Sequence, residues 1–385
     1  MKHSRRQFLG AGLALPVLGA FGARSLAARR GRKGGSGKRV LVLGGTNFLG
    51  PAVVDAALER GFEVTLFNRG KSNPHLYPDL EKLVGDRDTG DLDALAEGEW
   101  DLVVDTSCYL PSHAEEAAAM VGDRIGQYVM ISTCSVYADG DQYLVDENAP
   151  LGEISDEDVS KVQKIGDVYR VGGGRFYGPL KALSEQALED LLPGRVTVLR
   201  PGVIAGRNDP SDRLPYWVVR TTQGGEILVP DAPDLGVQFT DVRDLGLFSI
   251  EFGEQQKSGI FNSIGFDGKV TLQELVHGCK IVLGANCSFT YVSEEFLLEN
   301  QVQPFTELPF WLPPPLSHRF CNKQGLAAGM KFRPIAETIQ ETADWHFETR
   351  GKEYEWKVYG MKPAREADLL AKWHAKEAKK EPAPR

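Results

Sequence analysis

Cysteine is scarce in this chain. There are five in 385 residues, Cys108, Cys134, Cys279, Cys287 and Cys321. The number is odd, no two form a Cys-x-x-Cys pair, and none stands at ligand spacing from a histidine. The sequence therefore offers neither a disulfide framework nor a zinc site. Long hydrophobic runs are lacking as well: the N-terminal apolar stretch, residues 8–23, is interrupted by Gly and Pro and is short for a membrane span. No internal repeat occurs, which excludes solenoids and propellers. Acidic residues are missing from residues 1–39, which hold ten Lys and Arg. The rest of the chain then carries 34 basic against 53 acidic residues, a balance of −19. Such a body repels nucleic acid and anionic membrane, so no nucleic-acid partner is expected.

At the N-terminus stands Ser4-Arg5-Arg6-Gln7-Phe8-Leu9, followed by a Gly/Ala-rich apolar stretch and the small-x-small site Ser25-Leu26-Ala27. This resembles a twin-arginine export signal. The resemblance implies the twin-arginine export machinery as a partner and a periplasmic or other extracytoplasmic location; an uncleaved signal would anchor the chain to the membrane. Residues 28–39 read as a basic Gly-rich linker. The expected division is a signal at 1–27, the linker at 28–39, a dinucleotide-binding domain at 40–200, a mostly substrate-binding α/β region at 201–346 and a charged tail at 347–385.

The remaining chain is organised around Val40-Leu41-Val42-Leu43-Gly44-Gly45-Thr46-Asn47-Phe48-Leu49-Gly50. The unbroken apolar run predicts a strand buried on both faces of a parallel sheet. Glycines then turn the backbone tightly into a helix whose N-terminal N–H groups and dipole suit a pyrophosphate. Gly44, Thr46, Asn47, Phe48, Leu49 and Gly50 are thus candidate cofactor-binding residues. Asn47 stands where a middle glycine is common, and Asn tolerates left-handed backbone well.

Residues 51–60 read as a helix and residues 63–67 as the second strand. An NAD enzyme usually places a carboxylate at that strand's end. Here Asn68-Arg69 stands instead. A 2′-phosphate is not repelled, and Arg69 offers it a guanidinium, which leans toward NADP over NAD. Leu83-Val84 leads into Gly85-Asp86-Arg87-Asp88, placing Asp86 and Arg87 beside the adenine. Residues 101–105 form a fourth strand ending at Thr106, and residues 127–132 a fifth ending at Thr133. Ligands of open parallel sheets bind at the carboxyl ends of strands, where all these residues fall. The expected fold is α/β, a Rossmann-type doubly wound parallel sheet with a smaller C-terminal substrate-binding region.

Residues 138–176 are polar and read as surface loops with a mobile flap. Tyr177 and Lys181 follow at i and i+4 on one helix face. Residues 195–200 form a sixth strand. Beyond it, Arg213, Tyr216 and Trp217 are candidates for the substrate side, although packing suits each equally. Helices are expected near 271–283, 293–300 and 335–346, and Leu369, Leu370 and Trp373 mark a docking helix in the tail.

Taken in order, GGTNFLG, GDRD, STCSVYA, Tyr177-x-x-x-Lys181, RPGVIAG and QFTDVRDL resemble the extended short-chain dehydrogenase/reductase superfamily, the branch of NAD-dependent sugar epimerases and dehydratases. The resemblance spans residues 39–346. It implies Tyr177 as catalytic acid/base, Lys181 as the lysine that binds the nicotinamide ribose and acidifies the tyrosine, and Thr133 as the hydroxyl that holds the substrate oxygen. It also suggests a homodimer pairing the helices that carry Tyr177. Asn47 and the turn Thr106-Ser107-Cys108-Tyr109 depart from the usual pattern and resemble an atypical branch that includes chloroplast RNA-binding members. The expected function is an exported NAD(P)-dependent oxidoreductase, epimerase or dehydratase that acts on a small sugar-like molecule and keeps its cofactor bound. An RNA-binding protein of the atypical branch and a non-catalytic nucleotide-binding protein are the alternatives.

Overall fold

The structure, a computed structural model, describes residues 37–138, 144–266, 269–313, 319–351 and 354–379. The export-signal motif and most of the linker lie outside these residues. The apolar run after Arg39 forms β1 (Arg39–Leu43), with Val40 to Leu43 wholly buried. Six further strands join it: β2 (Glu63–Asn68), β3 (Glu81–Val84), β4 (Trp100–Asp105), β5 (Ile125–Ile131), β6 (Val196–Arg200) and β7 (Gly259–Asn262). Their order is β7-β6-β5-β4-β1-β2-β3, and every pairing is parallel. This is the expected doubly wound α/β sheet. Its strand order reverses between β1 and β4, so the crevice for a ligand opens above their carboxyl ends.

Helices cover both faces. On one, α1 (Leu49–Glu59) and α5 (Val242–Glu254) bury Val53, Val54, Leu245 and Phe248 against Val40, Val42 and Val104. On the other, α2 (Pro111–Val121) and α3 (Tyr177–Leu191) pack Ala114, Ala117 and Leu188 against Leu41, Val103 and Met130. The sheet is not complete at residue 200. The chain goes on through α4 (Arg213–Thr222) and then returns: α5 lies on α1, and β7 pairs with β6. β7 has four residues, too few for an apolar run to announce a strand.

Residues 144–176 hold more than loops. Leu144–Val145 pairs with Arg319–Phe320, and Asp156–Ser160 and Ile165–Gly172 are short helices. Val162, Val168 and Phe176 are buried there against Leu110 and Leu180. These few, widely spaced apolar residues are masked by the polar composition around them.

A second core is built from α4, α6 (Leu272–Val282), α7 (Ile335–Thr349) and the parallel pair Gly225–Pro230 and Cys287–Val292. The tail helix α8 (Pro363–Ala378) docks on it, burying Leu369 and Leu370. At this junction Arg220 Nε donates to Glu366 Oε2 at 2.7 Å, and the Leu228 N–H donates to Glu366 Oε1 at 3.0 Å. Among the described residues no helix is long and apolar enough to cross a membrane. Since Glu366 is buried and satisfies two donors, Glu366→Ala should lower unfolding free energy by about 3 kcal/mol. Urea denaturation reads this directly, and a loss below about 0.5 kcal/mol would mean that the tail is not docked in this way.

Candidate active site

The turn after β1 brings backbone to backbone. A side chain at Gly50 would stand 2.5 Å from the Gly44 carbonyl oxygen, and one at Gly44 would stand 2.5 Å from Thr106 Oγ1. Both positions therefore need glycine. Phe48, not Asn47, takes the positive φ, 43°, before α1 and gives the helix no side-chain cap; the Gly50 N–H donates to the Asn47 carbonyl at 2.9 Å and Pro51 has none, so in the first turn Leu49 has the N–H left to face the cleft. Thr46 is held in place where its carbonyl accepts from Asn73 Nδ2 at 2.9 Å. The cleft here has a volume of about 400 Å³, and its walls include Gly44, Thr46, Asn47, Phe48, Leu49, Asn68, Arg69, Asp86, Thr106 and Lys181.

Asn68 Oδ1 accepts from the Gly70 N–H at 2.8 Å, which leaves Nδ2 buried without a partner at the cleft wall. Arg69 beside it is exposed. Asp86 caps the turn Arg87–Thr89, its Oδ1 accepting from the Asp88 N–H at 3.2 Å. Arg87, expected at the adenine, also has a structural task. Although it borders the cleft, its guanidinium is buried and donates to both oxygens of Asp105, at 2.8 and 2.9 Å, and to the His113 carbonyl at 2.6 Å. The Tyr128 hydroxyl donates to Asp105 at 2.6 Å. Burial opposes ionisation of Asp105, but Arg87 and these hydrogen bonds hold its carboxyl below its ordinary value. The Asp105 carboxylate required a buried cation, and Arg87 supplies it.

His113, in the first turn of α2, is buried in the cleft wall, and neither ring nitrogen has a hydrogen-bond partner. Burial and the neighbouring Arg87 guanidinium push its pKa down to about 4.

A second cavity of about 1330 Å³ opens on the other side of Tyr177, between the sheet ends and the second core. Thr133, Arg175, Arg213 and Gln238 line it; Lys181 lines only the first cleft, and Tyr177 lines both. The Thr133 hydroxyl neighbours the Tyr177 phenol and favours its ionised form. Lys181 Nζ donates to the Cys108 and Ile131 carbonyls, each at 2.5 Å. Burial lowers its pKa, against the opposing fields of Cys108, Asp105 and Glu185. Tyr177 lies between Tyr109 and Tyr169, with ring centroids 6.2 and 6.4 Å away. Burial and these two phenols raise the Tyr177 pKa well above its ordinary value, and only the Thr133 hydroxyl lowers it. The direction is opposite to the acidification that the resemblance implies, and the Lys181 ammonium is turned onto two carbonyls.

Three residues that set this geometry escaped sequence reasoning. A side chain at Gly178 would fall 1.7 Å from the Ser135 carbonyl oxygen, so glycine lets α3 close onto the strand end that carries Thr133. Glu185, two turns beyond Tyr177, is buried and receives the Arg200 guanidinium, with Nη2 at 2.5 Å, and the Ser132 hydroxyl. The signal for Arg200 was a charge ending an otherwise apolar strand. On the substrate side, Arg213 borders the second cavity, its Nε donating to Ser211 Oγ at 2.7 Å. Tyr216 and Trp217 do not reach it. Both are fully buried in the second core, where Trp217 Nε1 donates to the Pro309 carbonyl at 2.8 Å. Their side of α4 is its apolar face. Among the described residues no group of three or more His, Cys, Asp or Glu is arranged to hold a metal ion.

Fold and site together define a Rossmann-type α/β protein with a cleft at the glycine turn and a second cavity that shares Phe48, Tyr177 and Ile204 with it. Solved structures share this fold. UDP-glucose 4-epimerase from Thermotoga maritima, solved with UDP-glucose, is 15% identical and matches over 81% of this chain and 99% of its own, with a TM-score of 0.57. UDP-glucuronic acid 4-epimerase from Bacillus cereus, in complex with NAD, is 13% identical over 80% and 99%, with a TM-score of 0.56. dTDP-glucose 4,6-dehydratase from Bacillus anthracis, also with NAD, is 15% identical over 82% and 98%, with a TM-score of 0.57. The chain matches no protein-family model and no curated protein.

Two outcomes follow for the site. Gly178→Ala should destabilise the fold by about 3 kcal/mol in denaturant melts, since backbone on both sides must shift. His113 has a folded pKa below its unfolded value, so the unfolded chain binds the extra proton between pH 6.5 and 4. Its contribution to stability is present above pH 6.5 and falls by about 3 kcal/mol as the pH drops to 4. His113→Gln should flatten the urea midpoint across that window relative to the parent; an unchanged slope would place the histidine in water.

Proposed function

We propose that the protein is an exported NAD(P)-dependent enzyme of the oxidoreductase, epimerase or dehydratase type that acts on a sugar-like hydroxyl or carbonyl compound. The observation that carries this reading is the position of Tyr177, which lines both the cleft of the glycine turn and the larger cavity, with Lys181 on the first side and Thr133 on the second. The residues fit a dinucleotide. The Gly44 and Gly50 cradle would hold its pyrophosphate at the α1 N-terminus, the Asn68 amide and Arg69 would face a ribose, and Lys181 would face the nicotinamide ribose. The NAD in two of the similar structures supports such a cofactor, as UDP-glucose in a third supports a sugar-like substrate. Asn68 Nδ2 and Arg69 offer only donors, which favours NADP over NAD.

When bound, a nicotinamide supplies hydride chemistry. The chain's own residues handle the proton. With its raised pKa, Tyr177 is neutral near pH 7 and presents a proton to a substrate oxygen as a carbonyl there becomes an alcohol. The Thr133 hydroxyl orients that oxygen. In the reverse direction the same oxygen returns its proton to Tyr177, which then needs a neighbouring positive charge.

Export, inferred from the Arg5-Arg6 motif, bears on the chemistry. Free nicotinamide cofactor and nucleotide sugars are scarce outside the cytoplasm. The cofactor is then held through the cycle and regenerated within it, as in epimerisation or dehydration through a keto intermediate, on a free sugar, glycoside or cell-wall fragment. Mass spectrometry of small molecules released on denaturing the purified chain should find NADP(H) or NAD(H) at near one per chain. A protein that arrives empty and binds neither would sink the enzyme reading. Once a substrate is known, Tyr177→Phe should lower kcat by about 10²–10⁴-fold with cofactor binding retained.

A further inference from the structure

We infer that residues 152–174 form a strap that closes the dinucleotide cleft and controls how fast the cofactor leaves; the inference rests on the cofactor reading above. The helix Ile165–Gly172 starts after Lys164, which gives it no side-chain cap. Its first N–H, that of Ile165, donates instead to Asp88 Oδ1 at 3.0 Å. Asp88 belongs to the turn after β3, 77 residues earlier in the chain, and both Asp88 and Ile165 line the cleft. A carboxylate across the cleft thus caps the helix, where free N–H groups and the helix dipole favour a negative charge. His113 lies behind the bond, its Nε2 at 3.5 Å from the same oxygen.

The rest of the strap is anchored by the Gly152 N–H, which donates to the Val136 carbonyl at 2.7 Å, and by one small apolar cluster that Ile154 and Val159 also touch. Val162, Val168 and Phe176 bury against Leu110 and Leu180, a small cluster separate from the two large cores. At the strap's end Gly173 and Gly174 have φ of 59° and 89°, a left-handed pair between the helix and α3. Such a pair turns the chain where other residues resist, and it sits where a strap must pivot. Tyr169 of the strap stacks on Tyr177 with an interplanar angle of 24°. A closed strap therefore spans the cleft from the Asp88 turn to the proton-handling tyrosine. A dinucleotide in the cleft cannot depart past Ile165 until the bond to Asp88 breaks and the small cluster parts. The strap retains the cofactor between turnovers, which self-recycling chemistry requires.

The test uses the full chain loaded with whichever of NAD and NADP it binds. Trypsin cuts after Lys161, Lys164 and Arg170 are followed with and without dinucleotide, and release is timed by displacement with excess unlabelled dinucleotide. The dinucleotide should slow cutting at Lys164 and Arg170 by tenfold or more. Asp88→Ala should speed release by about fivefold to tenfold, the span expected for a lost cap. Asp88→Asn, which keeps an acceptor without the charge, should fall between. Cutting unaffected by bound dinucleotide, or release from Asp88→Ala as slow as from the parent, overturns the strap while leaving the cofactor reading intact. A chain that binds neither dinucleotide overturns both.

Discussion

The buried Glu185 carboxylate holds the candidate site together. It sits on α3, one turn beyond Lys181 and two beyond Tyr177, and takes the Arg200 guanidinium from the end of β6 and the Ser132 hydroxyl from the end of β5. One anion thereby fixes the helix against two neighbouring strands. An ion pair so far from water adds little net stability. Its value lies in orientation, because a helix free to slide or rotate would carry Tyr177 away from Thr133. Gly178 completes the arrangement by removing the side chain that would hold helix and strand end apart. The meeting of two cavities at Tyr177 depends on these contacts.

A second buried pair works in the same way under the first cleft. Asp105 ends β4 beneath the turn Thr106-Ser107-Cys108, and Arg87 reaches it from the turn after β3. The pair ties two strand ends that flank the cleft, and Arg87 continues to the His113 carbonyl at the start of α2. Three cleft walls are joined by one guanidinium. Polar residues that would read as ligands in sequence also form the framework on which cleft-wall atoms such as Asn68 Nδ2 are displayed.

The features legible in the sequence are those that depend on local pattern. The apolar run of β1, the glycine turn, the strand ends and the Tyr177/Lys181 spacing all mark their places, because each is set by neighbours within a few residues. The buried partner of Arg87 and the packing of Tyr216 and Trp217 are not legible in sequence because they depend on residues far along the chain: Asp105 for Arg87, which itself still borders the cleft, and the second core for the others. The Tyr177 environment is legible only in part for a similar reason. The i, i+4 spacing places Lys181 nearby, but only the fold shows that its ammonium is turned to the Cys108 and Ile131 carbonyls. The helices of residues 156–172 were hidden because their few buried residues make no continuous stripe.

The return of the chain to the first sheet also bears on how the protein can be divided. β7 covers the outer edge of β6, and α5 covers α1. A fragment ending at residue 200 would contain every strand that faces the cleft, yet it would expose the β6 edge as a row of unpaired N–H and C=O groups, a template for another chain. The apolar face of α1 would be left open beside it. The first half of the sheet is thus protected from aggregation by residues that the chain supplies only after it has left to build α4, and neither half is shielded without the other.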